Sequence, residues 1–159
     1  MATEVPQPVL DYLGSGKTLT LATASTEGVP HAATYMYAND GLSLYFWAKP
    51  TSATVRHLRS NPRVSFAIDE YVEDWNKAKG IQGAGECGLV SSGDEVARCI
   101  GMFAKKFPSP SSAASTTNIS FFKVTPSSMQ FIDNAGAQVK LSGDELGMDF
   151  HREEVIFTD

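Results

Sequence analysis

Apolar residues recur along the chain at two periods, and each change of period marks an element. Val9, Leu10 and Leu13 share a helical face, Pro8 suits the first turn, and Gly14 is placed to cap the end. From Thr18 the period drops to two, with Leu19 and Leu21 on one side and Thr18 and Thr20 on the other. A turn at 26–30 leads to a second strand over 31–39. Asn39-Asp40-Gly41 then predicts a hairpin into a third strand over 42–48. That strand alternates Leu42, Leu44 and Phe46 against Ser43, Tyr45 and Trp47. Lys49-Pro50-Thr51-Ser52 opens a helix to about Ser60, and Pro62 ends it. A fourth strand over 63–68 precedes a polar loop over 69–79. The fifth, over 80–90, contains Gly83, Gly85 and Gly88, which predict a bulge or a close backbone approach.

Ser92-Gly-Asp-Glu95 reads as a capping box at the head of a helix to Lys106, with Val96, Ile100 and Phe103 along one face. A low-complexity loop covers 109–118. A long strand follows from Ile119 to about Ile132, with a break expected at Thr125-Pro126, and a last strand lies near 153–158. The pattern predicts a mainly β protein with inserted helices, a small antiparallel barrel of six or seven strands.

Length changes this picture little: 159 residues suit one domain spanning 1–159. The apolar share of 42% and charged share of 19% are those of a globular chain. No apolar run reaches the roughly 18 residues that a membrane helix needs, and the N-terminus lacks the pattern of a signal peptide, so a cytoplasmic protein is expected. The net charge of −5 argues against general nucleic-acid binding. Cys87 and Cys99 have no metal-binding spacing and read as reduced, buried thiols, with a redox pair as the alternative.

The strongest local signal for chemistry is 47–58, where a strand turns into a helix beginning with Thr51, Ser52 and Thr54. Hydroxyls there can bind an anion beside Lys49 and Arg56, or simply cap the helix. His31, His57 and His151 fall in different elements without ligand spacing. Gly83-x-Gly85-x-x-Gly88 matches a dinucleotide fingerprint in letters but lies inside a strand. Glu153-Glu154 reads as a solvated strand face. Tyr35, Tyr37, Tyr45, Trp47 and Trp75 gather near strand ends, where they either fill the barrel or wall a flat conjugated ligand.

Several segments together resemble the pyridoxamine 5′-phosphate oxidase-like superfamily, the FMN-binding split barrels. They are LATASTEGVPHAATYMYANDGLSLYFWA at 21–48, TVRHLRSNPRVSFAI at 54–68, EDWNKAKGIQGAGE at 73–86, and FAKKFPSP at 103–110 with ISFFKVTPSSMQFIDN at 119–134. The resemblance implies a Greek-key split barrel, a homodimer, and FMN at the subunit interface acting on a small-molecule substrate. It places Ala33, Thr34 and Tyr35 along the flavin ring, and Trp47, Ala48, Lys49, Ser52 and Thr54 around the phosphate. Trp75 and Lys77, with Lys105, Lys106, Phe107 and Pro108 of the second copy, would close the site. Where typical members carry Ser-Arg-Lys, this chain has Ser52-Ala53-Thr54, which implies weaker FMN binding. The ending REEVIFTD lacks the arginine-rich substrate-binding terminus of the true oxidases, so the resemblance is to a small branch outside them. A non-catalytic flavin or haem protein, with His31 or His151 as a haem ligand, is the alternative.

Overall fold

The computed structural model describes residues 5–108, 118–134 and 152–155. Nearly all of the loop expected at 109–118, His151 and the end of the last predicted strand lie outside the described residues. In chain order the elements are α1 (Gln7–Ser15), β1 (Thr18–Ala24), β2 (Pro30–Met36), β3 (Ala38–Asp40), β4 (Ser43–Ala48), α2 (Ala53–Leu58) and β5 (Arg63–Asp69). A single 3₁₀ turn (Trp75–Lys77) precedes β6 (Lys79–Leu89), α3 (Gly93–Lys106), β7 (Ser120–Asp133) and the short β8 (Arg152–Glu154).

Seven strands form one antiparallel path in the order β2-β1-β5-β6-β7-β4-β3, and β8 adds to β7. The meander β5-β6-β7, with β4 returning beside β7, is a Greek key. The fold is thus the mainly β split barrel expected from the sequence.

The two edges of the path, β2 and β3, are joined by one residue, Tyr37. Consecutive Cα atoms are about 3.8 Å apart, so Met36 and Ala38 can be no more than roughly 7 Å apart. The sheet must therefore curl until its edges meet. β2 and β3 do not pair with each other, and β2 instead meets β4 through side chains, with the Tyr35 and Phe46 rings 4.7 Å apart. Tyr37 itself is fully buried and donates its hydroxyl hydrogen to the Leu13 carbonyl at 2.6 Å. Its backbone N–H bonds the Lys17 carbonyl at 3.2 Å.

Alternation along the strands produces two cores. Leu19 and Leu21 of β1, Leu44 and Phe46 of β4, Phe66 of β5 and Phe122 of β7 point inward, and α1 closes one end with Val9 and Leu13. Tyr45 and Phe121 point outward from β4 and β7 beneath α3, where they meet Cys99 and Val90.

Four local expectations are corrected. The helix α1 runs past Gly14 to Ser15, and Gly16 is its cap in an extended conformation (φ −62°, ψ 147°). Glycine is required at 16 because a Cβ there would collide with the Tyr37 hydroxyl and lie 3.2 Å from Ile68. The strand expected over 31–39 is cut at Tyr37 by the closure just described. The capping box does not form: Ser92 makes no side-chain cap bond, and the Glu95 carboxylate that would reach back to it accepts instead from the Tyr45 hydroxyl at 3.0 Å. Pro126 does not break β7: the ladder shifts register at Ala84/Gly85, and a Cβ on Gly85 would press into the Thr125–Pro126 backbone. The glycines of the fifth strand thus mark a bulge, as their spacing predicts.

Tyr37→Phe is expected to lower unfolding free energy by about 1–2 kcal/mol, the loss of a buried hydrogen bond. Gly16→Ala should cost more in the native chain than in a Tyr37→Phe background, because the hydroxyl it collides with is then gone. Urea unfolding of the four proteins of this cycle measures both.

Candidate functional site

Where β2 and β4 face each other across the unpaired edges, the surface sinks into an open groove of about 410 Å³. Thr34, Tyr35 and Met36 form one wall, Trp47 and Ala48 the other, and Lys49 and Ser52 stand at one end. The walls are mostly apolar. Met36 and Trp47 remain 42% and 38% exposed, unusually open for such large apolar side chains.

Each wall is set by the fold. Thr34 bonds Thr20 of β1 hydroxyl to hydroxyl at 3.3 Å. Tyr35 leans on Phe46 and donates to Thr54 Oγ1 at 2.7 Å, which ties β2 to α2. At the polar end, Ser52 Oγ caps α2 by accepting from the Val55 N–H at 3.3 Å. Two guanidinium groups brace the turn before it: Arg56 Nη1 donates to the Thr51 carbonyl at 3.0 Å, and Arg59 Nη2 to the Pro50 carbonyl at 3.4 Å.

Six residues expected in the site therefore line one groove: Thr34, Tyr35, Trp47, Ala48, Lys49 and Ser52. Ala33 is half-buried, opposite Leu21 in the β1–β2 ladder, and does not line the groove. Thr54 is fully buried beneath Tyr35. Trp75 and Lys77 lie in the 3₁₀ turn, where Trp75 is 54% exposed and its carbonyl accepts from Asn134. Lys105 and Lys106 end α3, Phe107 and Pro108 follow it, and none of the four lines the groove. Met36 was missed by sequence reasoning. It ends the exposed phase of β2 just before the one-residue link, a position that no local sequence pattern marks.

Two other clusters of titratable groups stand out. Lys106 Nζ sits over the Tyr37 ring, 4.0 Å from its centroid, and donates to the Leu13 carbonyl at 3.4 Å. Burial, reinforced by the charge of Lys17, pulls this amine down to about 8. The fold also brings together two histidines that looked separate in the sequence. His57 Nδ1 is 3.0 Å from the buried Thr23 hydroxyl, and the His31 ring meets His57 edge-on at 5.9 Å. Both cysteines are buried and unpaired, and burial pushes the Cys87 thiol up to about 12. Among the described residues no helix is long and apolar enough to cross a membrane.

Comparison with known proteins places this geometry. The pyridoxamine 5′-phosphate oxidase family model matches residues 6–133. No curated protein matches the chain. Among solved structures, a conserved hypothetical protein of Mycobacterium tuberculosis superposes with a TM-score of 0.73 at 19% identity, covering 84% of this chain and 88% of that one. The haem storage protein HutZ of Vibrio cholerae gives 0.64 at 17%, covering 78% and 91%. A haem-binding protein of Mycobacterium smegmatis gives 0.70 at 18%, covering 96% of this chain but 59% of that one. At these identities the structures establish the fold, which is that of the split barrels. The chain belongs to the pyridoxamine 5′-phosphate oxidase family.

Two outcomes follow from the buried groups. Thr54→Lys, which restores a cation of the usual family pattern, should destabilise the fold by at least about 2 kcal/mol, since it buries an ammonium and removes the acceptor of the Tyr35 hydroxyl. Chemical unfolding measures it. NMR titration of the Lys106 side chain should give a midpoint near 8 against an ordinary 10.5, and Lys17→Gln should raise it. Here the folded pKa is depressed, so the unfolded chain binds the extra proton and this group's contribution to stability grows as pH rises from about 8 to 10.5. Lys106→Met should flatten that part of the pH profile.

Proposed function

We propose that this protein is a flavoprotein that holds FMN in the groove between β2 and β4 and acts as an oxidoreductase on a small substrate. The observation that carries the reading is the groove's polarity: aromatic and apolar walls from Tyr35 and Trp47 run to one end that bears Lys49 and Ser52. A planar ring with an anionic tail needs that arrangement. The residues present fit the group in kind. Ser52 Oγ accepts from Val55, so its hydrogen is free to donate to a phosphate oxygen. Lys49 supplies charge. Arg56 uses one N–H on the Thr51 carbonyl and holds further donors beside the same turn. Membership of the family supports the reading as well.

A bound flavin would supply the electron or hydride transfer. The chain's part is to bind and orient: Thr34 to Met36 set the plane of the ring, and Lys49 and Ser52 fix its register by the tail. A groove this open leaves much of a flavin in water. The proposal therefore includes a homodimer, in which Lys105 to Pro108 of the second copy cover the site together with Trp75 and Lys77. The exposed Met36 and Trp47 at the mouth support such a covering.

A haem-binding reading is favoured by a different observation, the paired rings of His31 and His57, and by the two similar structures whose names specify haem. Here Thr23 would orient His57, as a partner on the far ring nitrogen orients a metal-ligating imidazole.

The absorbance spectrum of purified protein decides between the two, with flavin bands supporting the first and a Soret band the second. In FMN titrations followed by fluorescence quenching, Lys49→Ala should weaken binding by about 1–3 kcal/mol, and more at low than at high salt. An unchanged affinity would remove the phosphate from this end of the groove. A solution mass near 17.1 kDa, that of a single chain, would remove the dimer.

A further inference from the structure

The half-buried amine of Lys106 has no counter-charge among the described residues. α3 ends at this residue, and Nζ reaches across to Tyr37, 4.0 Å from the ring centroid, and stands 5.9 Å from that of Phe107. An ammonium carries three donors. Among the described residues this one has a single acceptor, the Leu13 carbonyl at 3.4 Å, which already takes the Tyr37 hydroxyl at 2.6 Å. Neither salt bridge among the described residues includes Lys106.

The charge that acts on it is a like one. Lys17, in the link between α1 and β1, places Nζ 5.5 Å from the Phe107 centroid, so two amines share one ring. Other groups facing the amine are Tyr37, between β2 and β3, and the Leu13 carbonyl of α1. Tyr12 of α1 acts on Tyr37 in turn. Burial raises both phenols, Tyr12 to about 12, so neither is an anion in neutral water. Aromatic faces attract an ammonium but do not neutralise it. Burial and Lys17 together therefore enlarge the share of free amine.

A free amine beside a fixed ammonium is the setting that a carbamate needs. Carbon dioxide is small, uncharged and apolar, so it can approach an amine among aromatic rings, where bicarbonate would lose hydration. The nitrogen lone pair attacks the carbon, an N–C bond forms, and one C=O π bond breaks to leave a carboxylate. One proton passes from nitrogen to water: R–NH₂ + CO₂ → R–NH–COO⁻ + H⁺. The product keeps an N–H for the Leu13 carbonyl and carries negative charge beside Lys17. A repulsive pair becomes an attractive one.

We propose that Lys106 is a carbon dioxide site, at which Nζ forms a carbamate held by the Lys17 ammonium. The chemistry is the same whether the groove over Tyr35 holds a flavin, a haem or nothing.

The test equilibrates the full chain with carbon dioxide at fixed pressure, traps carbamates by ethylation with triethyloxonium, and reads each lysine by fragmentation mass spectrometry. Lys106 is expected to carry the trapped group, and its exposed neighbour Lys105 is not. That comparison needs no variant, so it holds whatever a substitution does to the fold. Trapping at Lys106 should rise as pH is raised through about 8. Lys17→Arg, which keeps the charge, should preserve it. Lys17→Gln should reduce it several-fold, after correction for the amine's measured midpoint in each chain. Trapping at Lys106 no greater than at Lys105 overturns the proposal. So does trapping that is equal in Lys17→Gln and the native chain, or lost equally in Lys17→Arg and Lys17→Gln.

Discussion

One residue holds the two ends of the sheet together. The path begins at β2 and finishes at β3, and only Tyr37 lies between them in sequence. Covalent geometry thus imposes closure that hydrogen bonding between the edges does not supply. Everything at that end is arranged around the tyrosine. Leu13 offers its last-turn carbonyl, Gly16 gives up its side chain, and Lys106 lays its amine over the ring. The packing of α1 and of the end of α3 are therefore parts of one arrangement, although nearly a hundred residues separate Leu13 from Lys106 in the chain.

The groove is the other face of the same constraint. β2 pairs only β1 and β3 only β4, so no backbone ladder bridges β2 to β4 and a cleft remains between them. Its walls come from the outward phase of β2 and the end of β4, and its polar end from the turn into α2. Ser52 and Tyr35 secure that turn from within, through Val55 and Thr54, and the two arginines brace it from outside. The cations that the family usually carries on the helix are absent. Of the two positions, 54 points into the core and has no room for one.

The sequence made the strands legible because most of them are two-sided: alternation survives wherever one face meets the core and the other meets water. It also exposed the bulge, since Gly85 has no other reason to interrupt a strand opposite Pro126. It hid the cut at Tyr37, because the residues on both sides are good strand formers and the break is imposed by tertiary closure. Gly14 misled for a related reason. It is the conventional helix stop, yet the requirement for a missing side chain falls two residues later, where the tyrosine hydroxyl arrives from another element. The groove was mostly legible as a run of neighbours, 34–35 and 47–52. Met36 and the burial of Thr54 were not, because both depend on which way a side chain points at an irregular edge. The meeting of His31 with His57 depends on α2 packing over β1 and β2, which no local pattern encodes.

The register of β4 has a consequence for how the molecule is made. Trp47 and Ala48, one wall of the groove, pair with Phe121 and Ser120, more than seventy residues downstream. The hairpins β1–β2 and β3–β4 can form as soon as they leave the ribosome, but β4 has no second neighbour until β7 emerges. Until then its apolar face and open edge are available to other chains, which is the condition under which nascent β-rich proteins aggregate. The order of synthesis therefore assigns β7 the last word. The same event that completes the sheet also secures, from behind, the β4 wall of the groove.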